Sequence, residues 1–262
     1  SDIKIGLLFN GNFDENNKEF DNYLNLHRYK FKDDANEIGG YIVLKNKKSS
    51  LIMDVGQAPE KKFSKDYQAG PLSFEFNFAG EKVITNSGYF QNYKHQLNII
   101  SKSTATHSTL ALNNTSVVRF ERDKNGHMVV AKTFKIINKE IKKENKFWSI
   151  KASHDAYVKS NGLIHERQLK YFYENFKLEG VDKLKKTKRF KSCNFEIRFH
   201  LLPEANITKL LNNESILIET NNAGWKFTCK NYKIDIETGL YFGKKNKYLE
   251  KKNIIISGLT IS

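Results

Sequence analysis

The segment 86–115 holds the side chains of this sequence that are best placed to move a proton. A run rich in Ser and Thr leads to His107, which stands at the head of an alternating strand pattern. Because an imidazole titrates near neutral pH, His107 can accept a proton, donate one or carry positive charge. The alternative interpretation is a histidine at a strand end without a catalytic role.

A second set of polar side chains follows at His154, Asp155, Tyr157, His165 and Arg167. These residues fall in or beside two predicted strands that can pair with each other. Asp155 can then form a cross-strand ion pair with Arg167 or with a histidine, and we favour this structural interpretation. Contact of His154, Tyr157, His165 and Arg167 with a bound substrate is the alternative.

Short runs of β-branched and aromatic residues, bounded by Gly, Asn and Asp, predict antiparallel strands along most of the chain. The predicted strands are 40–44, 50–55, 72–78, 82–85, 109–112, 117–121, 127–137, 147–153, 164–173, 194–201, 215–219, 225–228 and 254–261. In strand 194–201, His200 alternates with apolar neighbours and is interpreted as structural. Only 16–29 is predicted to be helical.

Turn residues join these strands into hairpins. Asn125-Gly126 accepts the positive φ angles of a primed turn, and Ala79-Gly80 and 221–224 supply other reversals. In the strand 72–78, alternation places apolar residues on one face and polar residues on the other, as in a two-layer sandwich. The pattern therefore predicts an all-β fold, one large antiparallel β-sandwich with few or no helices.

The composition favours a negatively charged partner. With 44 Lys plus Arg against 29 Asp plus Glu, the formal net charge is +15, which suits an acidic polysaccharide, a nucleic acid or an anionic membrane. AT-biased codon usage also produces many Lys and Asn, so charge alone assigns no function. No helix-turn-helix, zinc finger or paired stacking motif supports specific binding of nucleic acid.

Two cysteines, Cys193 and Cys229, fall in separate segments whose spacing matches neither a zinc nor a redox motif, and whether they pair is left open. No apolar run approaches the roughly 18 residues of a membrane span, so we expect no such span. No signal peptide precedes the first strand, but the chain opens with Ser1, so we expect that the natural N-terminus has been removed. The compartment is undecided between a bacterial periplasm and cytoplasm.

The order of residues around His107 resembles the C-terminal β-sandwich domain of heparinase II/III-like polysaccharide lyases. In that family a tight turn with glycine, an aromatic residue, a basic residue and an R-S-T-x-x-H-N-T-type run carry a histidine to the substrate cleft. Here 87–90, Lys94 or His95, and 102–109 occupy those places. Further similar blocks, in the same order, are 51–56, 68–75, 153–157, 162–167 and 198–203.

The resemblance implies a two-part protein, with an N-terminal (α/α) helical toroid followed by the sandwich and an acidic polysaccharide bound between them. We therefore expect residues 1–262 to be the single sandwich domain. We expect the toroid to be absent from this chain and to pack against the sandwich in the whole protein. Complete members of the family resemble one another in activity. They catalyse a β-elimination that removes the C5 proton of a uronate and expels the 4-linked oxygen. Because the tyrosine base of the family lies mostly on the toroid, we expect this domain alone to be inactive.

The same resemblance assigns roles to individual residues. It implies that His107 neutralises the substrate carboxylate or shuttles a proton, and that Tyr89 is the candidate proton donor. A core or rim aromatic is the favoured alternative for Tyr89. Lys94, His95 and Lys102 are candidates for binding the substrate.

Several members of the family also hold zinc in the sandwich, at places that fall on Gln68, Asn86 and His107 of this sequence. Amides replace two of the three ligands, and they lack the imidazole nitrogen and carboxylate charge that Zn²⁺ favours. We predict no cofactor and no tight zinc site, and a hydrogen-bonded trio of these residues could keep the local shape. The alternative for the whole chain is a non-catalytic carbohydrate-binding or structural sandwich.

A lysine-rich run, 183–191, has the composition of an anion-binding patch. We interpret it instead as the solvated edge of a hairpin, because lysines on an edge strand block pairing with other chains.

Overall fold

The computed structural model describes residues 22, 25–28, 36–210, 214–244 and 247–260. The strands are β1 (Glu37–Ile38), β2 (Tyr41–Lys45), β3 (Ser49–Asp54), β4 (Phe74–Phe78), β5 (Glu81–Ile84), β6 (Leu110–Leu112), β7 (Arg119–Arg122), β8 (Met128–Lys132), β9 (Ile136–Lys143), β10 (Phe147–His154), β11 (Leu163–Phe172), β12 (Lys177–Lys186), β13 (Asn194–His200), β14 (Asn206–Lys209), β15 (Ser215–Glu219), β16 (Gly224–Thr228), β17 (Lys233–Tyr241) and β18 (Leu249–Leu259). Two short helices are α1 (Gln96–Ser101) and α2 (Val158–Asn161).

The strands form several antiparallel sheets, which confirms the predicted fold class. A five-stranded sheet runs β1-β2-β3-β4-β5, and four-stranded sheets run β12-β11-β10-β9 and β17-β18-β13-β6. A three-stranded sheet, β14-β15-β16, and the hairpin β7-β8 complete the described set. An isolated bridge between Thr85 and His200 links the end of the five-stranded sheet to β13.

Aromatic side chains join the sheets into one core. Phe76 of β4 packs against Tyr171 of β11 and Trp225 of β16, with ring centroids 5.3 Å apart in both pairs. Phe199 of β13 meets Phe227 of β16 at 4.8 Å. These contacts cross between four different sheets, so burial of large rings fixes how the layers face each other.

The alternation predicted for 72–78 is confirmed, but the polar face is not open to solvent. Phe74 and Phe76 are buried as expected, and Ser73 and Glu75 on the opposite face are also fully buried. Lys82 of β5 compensates the Glu75 carboxylate with an ion pair of 3.0 Å. The five-stranded sheet is therefore covered on both sides at β4.

Most predicted strands are confirmed to within a few residues, and so is the hairpin at 123–127. Its turn is not primed, because Gly126 has a φ of +84° but Lys124 and Asn125 do not have positive φ. The predicted strand 127–137 is instead two strands, β8 and β9. The strands β1, β12, β14 and β17 were not predicted. The charged residues of β12 obscure its alternation, whereas β17 does alternate, at Ile234 and Ile236, and this pattern was overlooked. Most of the predicted helix 16–29 lies outside the described residues, although Asn22 and 25–26 are helical.

The lysine-rich run begins within β12, which is an edge strand of its sheet. This position agrees with the interpretation of a solvated edge. Cys193 and Cys229 are free thiols. None of the helices in the described ranges is long and apolar enough to cross a membrane.

Candidate active site

His107 follows a single 3-10 turn, Thr104–Thr106, which fixes its backbone. Its main-chain N–H donates to the Thr104 carbonyl at 3.1 Å, and its Nδ1 lies 2.8 Å from the Ser103 carbonyl oxygen. A carbonyl only accepts hydrogen bonds, so Nδ1 carries the proton and Nε2 keeps its lone pair. His107 is therefore a hydrogen-bond acceptor with an assigned tautomer.

Burial lowers the pKa of His107 to about 4, with the Ser103 hydrogen bond opposing this shift and the positive charge of Lys251 adding to it. The imidazole is consequently neutral at pH 7. Of the two roles predicted for it, proton acceptance suits a neutral ring, whereas charge neutralisation of a carboxylate does not. Gly70 lies against the ring, where an added Cβ would come within 2.4 Å of His107 Cδ2.

Ser108, the next residue, holds this segment in place through hydrogen bonds to several buried polar groups. Its N–H donates to Asn86 Oδ1 at 2.8 Å and its hydroxyl donates to the Thr85 carbonyl at 2.5 Å. The Ser108 hydroxyl oxygen also accepts from the His200 N–H at 2.9 Å, while His200 Nε2 donates to the Ala105 carbonyl at 3.1 Å. The predicted structural role of His200 fits these contacts, because the imidazole ties β13 to the 3-10 turn.

Lys251, on β18, is buried beside these polar groups. It is 3% exposed, and its Nζ has no hydrogen-bond partner among the residues that the structure describes. Burial lowers the pKa of Lys251 well below its usual value, with Glu75 and Glu237 opposing the shift and Lys82 adding to it. A buried amine without a hydrogen-bonding partner is an unfavourable element of the fold.

Lys251→Met is therefore expected to raise the free energy of unfolding by about 1–3 kcal/mol, since an unbranched apolar side chain fills similar space without an amine to desolvate. Urea denaturation of both proteins measures the difference. Lys252→Met is the matched control on the neighbouring, exposed position, and should change stability by no more than about 0.5 kcal/mol. A Lys251→Met protein less stable than the parent would contradict the assignment of an unfavourable amine.

Arg167, on β11, holds the same segment from the other side. Its Nη1 donates to the Ser108 carbonyl at 2.6 Å and to the Leu72 carbonyl at 3.0 Å. Its other nitrogens bind Asp182 of β12 at 2.8 and 3.0 Å, in the bidentate arrangement typical of guanidinium and carboxylate. The guanidinium thus links β11 and β12 to the chain next to His107.

Two histidines extend this cluster along paired strands, as predicted. His154 and His165 lie opposite each other in β10 and β11. His165 Nε2 donates to Asp182 Oδ1 at 2.6 Å, so its Nδ1 accepts from His154 Nε2 at 3.2 Å. His154 Nδ1 in turn accepts from the Ala156 N–H at 3.3 Å. Both rings are neutral in this network, and burial lowers the pKa of each.

The predicted ion pair between Asp155 and Arg167 or a histidine is wrong, because a different carboxylate pairs with Arg167. Asp155 accepts a hydrogen bond from the Lys135 N–H at 2.7 Å, and Asp182 is the partner of Arg167. The cause is the register of β12, which sets Asp182 directly opposite Arg167. Tyr157 is also interior, and its hydroxyl donates to the Leu110 carbonyl at 3.0 Å. All four candidates for substrate contact in this cluster, His154, Tyr157, His165 and Arg167, are buried.

Tyr89 is half-buried and follows the predicted tight turn, in which Gly88 has a φ of +81°. Its hydroxyl accepts from Asn98 Nδ2 at 3.0 Å and donates to Asp66 Oδ1 at 3.2 Å. Burial raises the pKa of Tyr89 to about 12; the bond from Asn98 opposes this shift, and Asp66 adds to it. A phenol of this kind stays protonated at neutral pH and suits a proton donor better than a base.

Lys102 lies below Tyr89 and faces inward. Its ammonium donates to the Lys65 carbonyl and, at 3.0 Å, to the Met128 carbonyl. It lies 5.7 Å from the centroid of the Tyr89 ring, on the ring face. Burial lowers the pKa of Lys102 to about 8, against the pull of the Asp66 carboxylate. In this position the Lys102 ammonium holds two backbone segments, at Lys65 and Met128, close to Tyr89.

Lys94 and His95 lie on the exposed loop that enters α1. His95 is the N-cap of this helix, and its Nδ1 accepts from the Leu97 N–H at 3.1 Å. Lys94 Nζ lies 5.9 Å from the Tyr93 ring centroid, and that ring stacks on His127 at 4.3 Å. Of the three basic residues predicted to bind substrate, these two are open to solvent and Lys102 is not.

The three positions implied for zinc do not fit the metal. Asn86 Oδ1 accepts the Ser108 N–H, and the set of Gln68, Asn86 and His107 offers one imidazole and no carboxylate. Within the described part of the chain, no three His, Cys, Asp or Glu side chains are grouped to hold a metal ion. The trio of hydrogen bonds among these residues stays a prediction.

The chain is an antiparallel β-sandwich with a cluster of buried histidines and a half-buried tyrosine, Tyr89. The chain belongs to the heparinase II/III-like family, because residues 33–262 match the family description "Heparinase II/III-like, C-terminal". Among curated proteins, none matches the sequence.

Solved structures agree in fold. The heparan sulfate lyase HepC from Pedobacter heparinus matches 92% of this chain and 40% of its own, with 14% identity and a TM-score of 0.69. A heparinase III matches 93% of this chain and 36% of its own, with 15% identity and a TM-score of 0.67. The chain thus spans less than half the length of the solved proteins that it resembles.

Sequence reasoning missed Asp66, Asn98, Asp182 and Lys251. Asp182 stands in an unpredicted strand, and Asp66 lies in a loop, so no periodic pattern marked either residue. Asn98 lies two residues into a short helix whose start was not predicted. Lys251 is one of several consecutive charged residues, and only the register of β18 decides that it points inward.

Proposed function

We propose that this chain is the sandwich domain of a polysaccharide lyase that acts on uronate-containing polysaccharides by β-elimination. The observation that carries the proposal is Tyr89, a half-buried phenol held between Asn98 and Asp66. Its ring centroid lies 5.7 Å from the ammonium of Lys102, in the segment that carries His107. Membership of the heparinase II/III-like family supports the class of reaction.

In this proposal Tyr89 donates its proton to the 4-linked oxygen as that oxygen leaves the sugar. Asp66 accepts the phenol hydrogen bond and orients the hydroxyl, and after the elimination the tyrosinate regains its proton from solvent. The base that removes the C5 proton is supplied by the helical toroid of the whole protein. His107 offers a neutral Nε2 as an acceptor, and the exposed Lys94 contributes positive charge for the uronate.

The test uses the full-length native protein with heparan sulfate, alginate and related uronans, and measures the ultraviolet absorbance of the unsaturated product. Tyr89→Phe removes only the hydroxyl and is expected to lower the rate by about 10²–10⁴-fold. Tyr232→Phe, at an exposed tyrosine of the same sandwich, is the matched control and should leave the rate unchanged. Equal rates for both variants would remove Tyr89 from the reaction.

His107 is tested in two ways. His107→Ala deletes the imidazole, and Gly70→Ala keeps it but places a methyl group where the ring lies. We expect both variants to lose the product signal, because each changes the position or presence of Nε2. Thermal unfolding must show that each variant is folded. Release of unsaturated product by this chain alone would disprove the requirement for the toroid.

A non-catalytic carbohydrate-binding sandwich is the second candidate. It is favoured by the amides at Gln68 and Asn86, and by the inward-facing ammonium of Lys102. No product from the full-length protein on any polymer, together with retained binding, would select this candidate.

A further inference from the structure

A cavity lies at the end of the sheet β12-β11-β10-β9 that is distant from His165. It has a volume of about 720 Å³ and lies where β10 begins and β11 ends. His165 is seven residues from Phe172 along β11, which corresponds to roughly 23 Å of extended strand. Lys170, which lines the cavity, is only three residues from Arg167, but side-chain alternation places the two on opposite faces of β11, so the cavity is separate from the buried cluster around Arg167.

Two aromatic side chains on the outer face of the sheet line this cavity. Phe147 and Phe172 lie opposite each other in β10 and β11, with ring centroids 6.0 Å apart and planes inclined by 49°. Their neighbours Trp148 and Tyr171 point into the core and are fully buried. Because side chains alternate across a strand, the two phenylalanines face solvent and form a half-buried apolar surface.

Lys170 holds a positive charge over this surface. Its Nζ lies 3.7 Å from the Phe147 ring centroid and 4.7 Å from that of Phe172. Within the described ranges, no carboxylate lies within 4.0 Å of this ammonium, whereas Lys177 pairs with Glu179 at 2.6 Å nearby. The aromatic rings therefore position a cation that retains its capacity to bind an anion.

The rim of the cavity carries groups that suit hydroxyls. Glu144 and Asn145 come from the turn before β10, and Glu174 and Asn175 come from the turn after β11. Neither carboxylate forms an ion pair with a residue in the described part of the chain. A sugar ring has the complementary composition, with an apolar C–H face and hydroxyls around its edge.

We propose that this cavity is a second saccharide site, which binds a unit of an acidic oligosaccharide outside the catalytic cleft. The C–H face of the sugar packs against Phe147 and Phe172, and its anionic substituent meets Lys170. The rim carboxylates and amides accept and donate hydrogen bonds to its hydroxyls. That the sugar is acidic rests on the proposed function. The geometry of the site is independent of that proposal.

The test measures binding of a heparan sulfate hexasaccharide to the full chain by calorimetry and by NMR titration. Lys170→Gln is expected to weaken binding by about tenfold, since a charge-assisted contact is lost. Lys151→Gln is the matched control, because Lys151 lies on the same face of β10 but outside the cavity, where it approaches Glu140. Phe172→Ala should also weaken binding, with thermal unfolding confirming that the variant is folded.

The pattern of losses decides the outcome. Selective losses in Lys170→Gln and Phe172→Ala, with Lys151→Gln unchanged, support the site. Equal weakening by both lysine variants, equal affinity for a DNA duplex of matched charge, or absence of binding by the parent chain would each overturn it. Because product formation is measured separately, an unchanged affinity of Lys170→Gln with intact elimination refutes only this site. Selective loss of binding in Lys170→Gln, without elimination by the full-length protein, refutes only the lyase.

Discussion

Asp182→Asn is expected to lower the free energy of unfolding by about 3–5 kcal/mol, because it leaves the buried guanidinium of Arg167 without a compensating charge. Burial by itself would raise the pKa of Asp182, but the Arg167 charge and the bond from His165 hold it well below its usual range. The carboxylate is therefore ionised throughout the neutral range and accepts three hydrogen bonds.

Urea denaturation at neutral pH measures this loss. Asp235→Asn is the matched control: Asp235 also pairs with two basic residues, but its side chain is 38% exposed. The control should lose less than about 1 kcal/mol, as exposed ion pairs do. Similar losses in the two variants would contradict a special role for the buried pair.

The double variant Asp182→Asn with Arg167→Met separates the cost of an unpaired charge from the value of the pair. If the stranded guanidinium is the cause, the double variant should be more stable than Asp182→Asn alone. The same variant also tests the link to the site, since the methionine side chain has no donor to hold the Ser108 carbonyl. NMR signals of His107 should then shift even where the overall fold is retained.

Strands could be predicted where apolar and polar residues alternate, because one face of the strand is then apolar and the other polar. Strand β4 shows this pattern, and it was predicted correctly even though its polar face is buried as well. Strand β12 was not predicted, because its residues alternate between charged and small or apolar types without a consistent face. Its position depends on pairing with β11, and sequence periodicity does not encode that partner.

The candidate site could also be predicted only in part from the sequence. His107 stood out because of local sequence order, and the structure adds its tautomer through the Ser103 carbonyl. The partner of Arg167 was predicted wrongly as Asp155, since that residue is close in sequence to His154 whereas Asp182 is brought in by the register of β12. Contacts between distant segments are what the sequence alone left undetermined.

The stability of the protein is expected to fall steeply as the pH decreases from about 6.5 to 4. The pKa values of four buried histidines lie below the ordinary value of 6.5, mainly because of burial, and that of His107 is about 4; the four are His107, His154, His165 and His200. In this window the unfolded chain therefore binds protons that the folded chain excludes, so stability is lost as pH falls. Burial raises the pKa values of Asp54 and Glu75 to about 7, so these two carboxyls act in the opposite direction.

His107, whose pKa is about 4, contributes a loss of up to about 1.4 kcal/mol per pH unit in this window, and the other three histidines add to this loss. Urea denaturation between pH 6.5 and pH 5 measures the slope. Asp54→Asn removes one of the opposing carboxyls while keeping an acceptor for the Gly56 N–H, and it should steepen the slope by about 1.4 kcal/mol per pH unit. A stability that stays constant over this range would contradict the prediction, because the histidines that exclude protons would then be no more numerous than the two carboxyls that retain them.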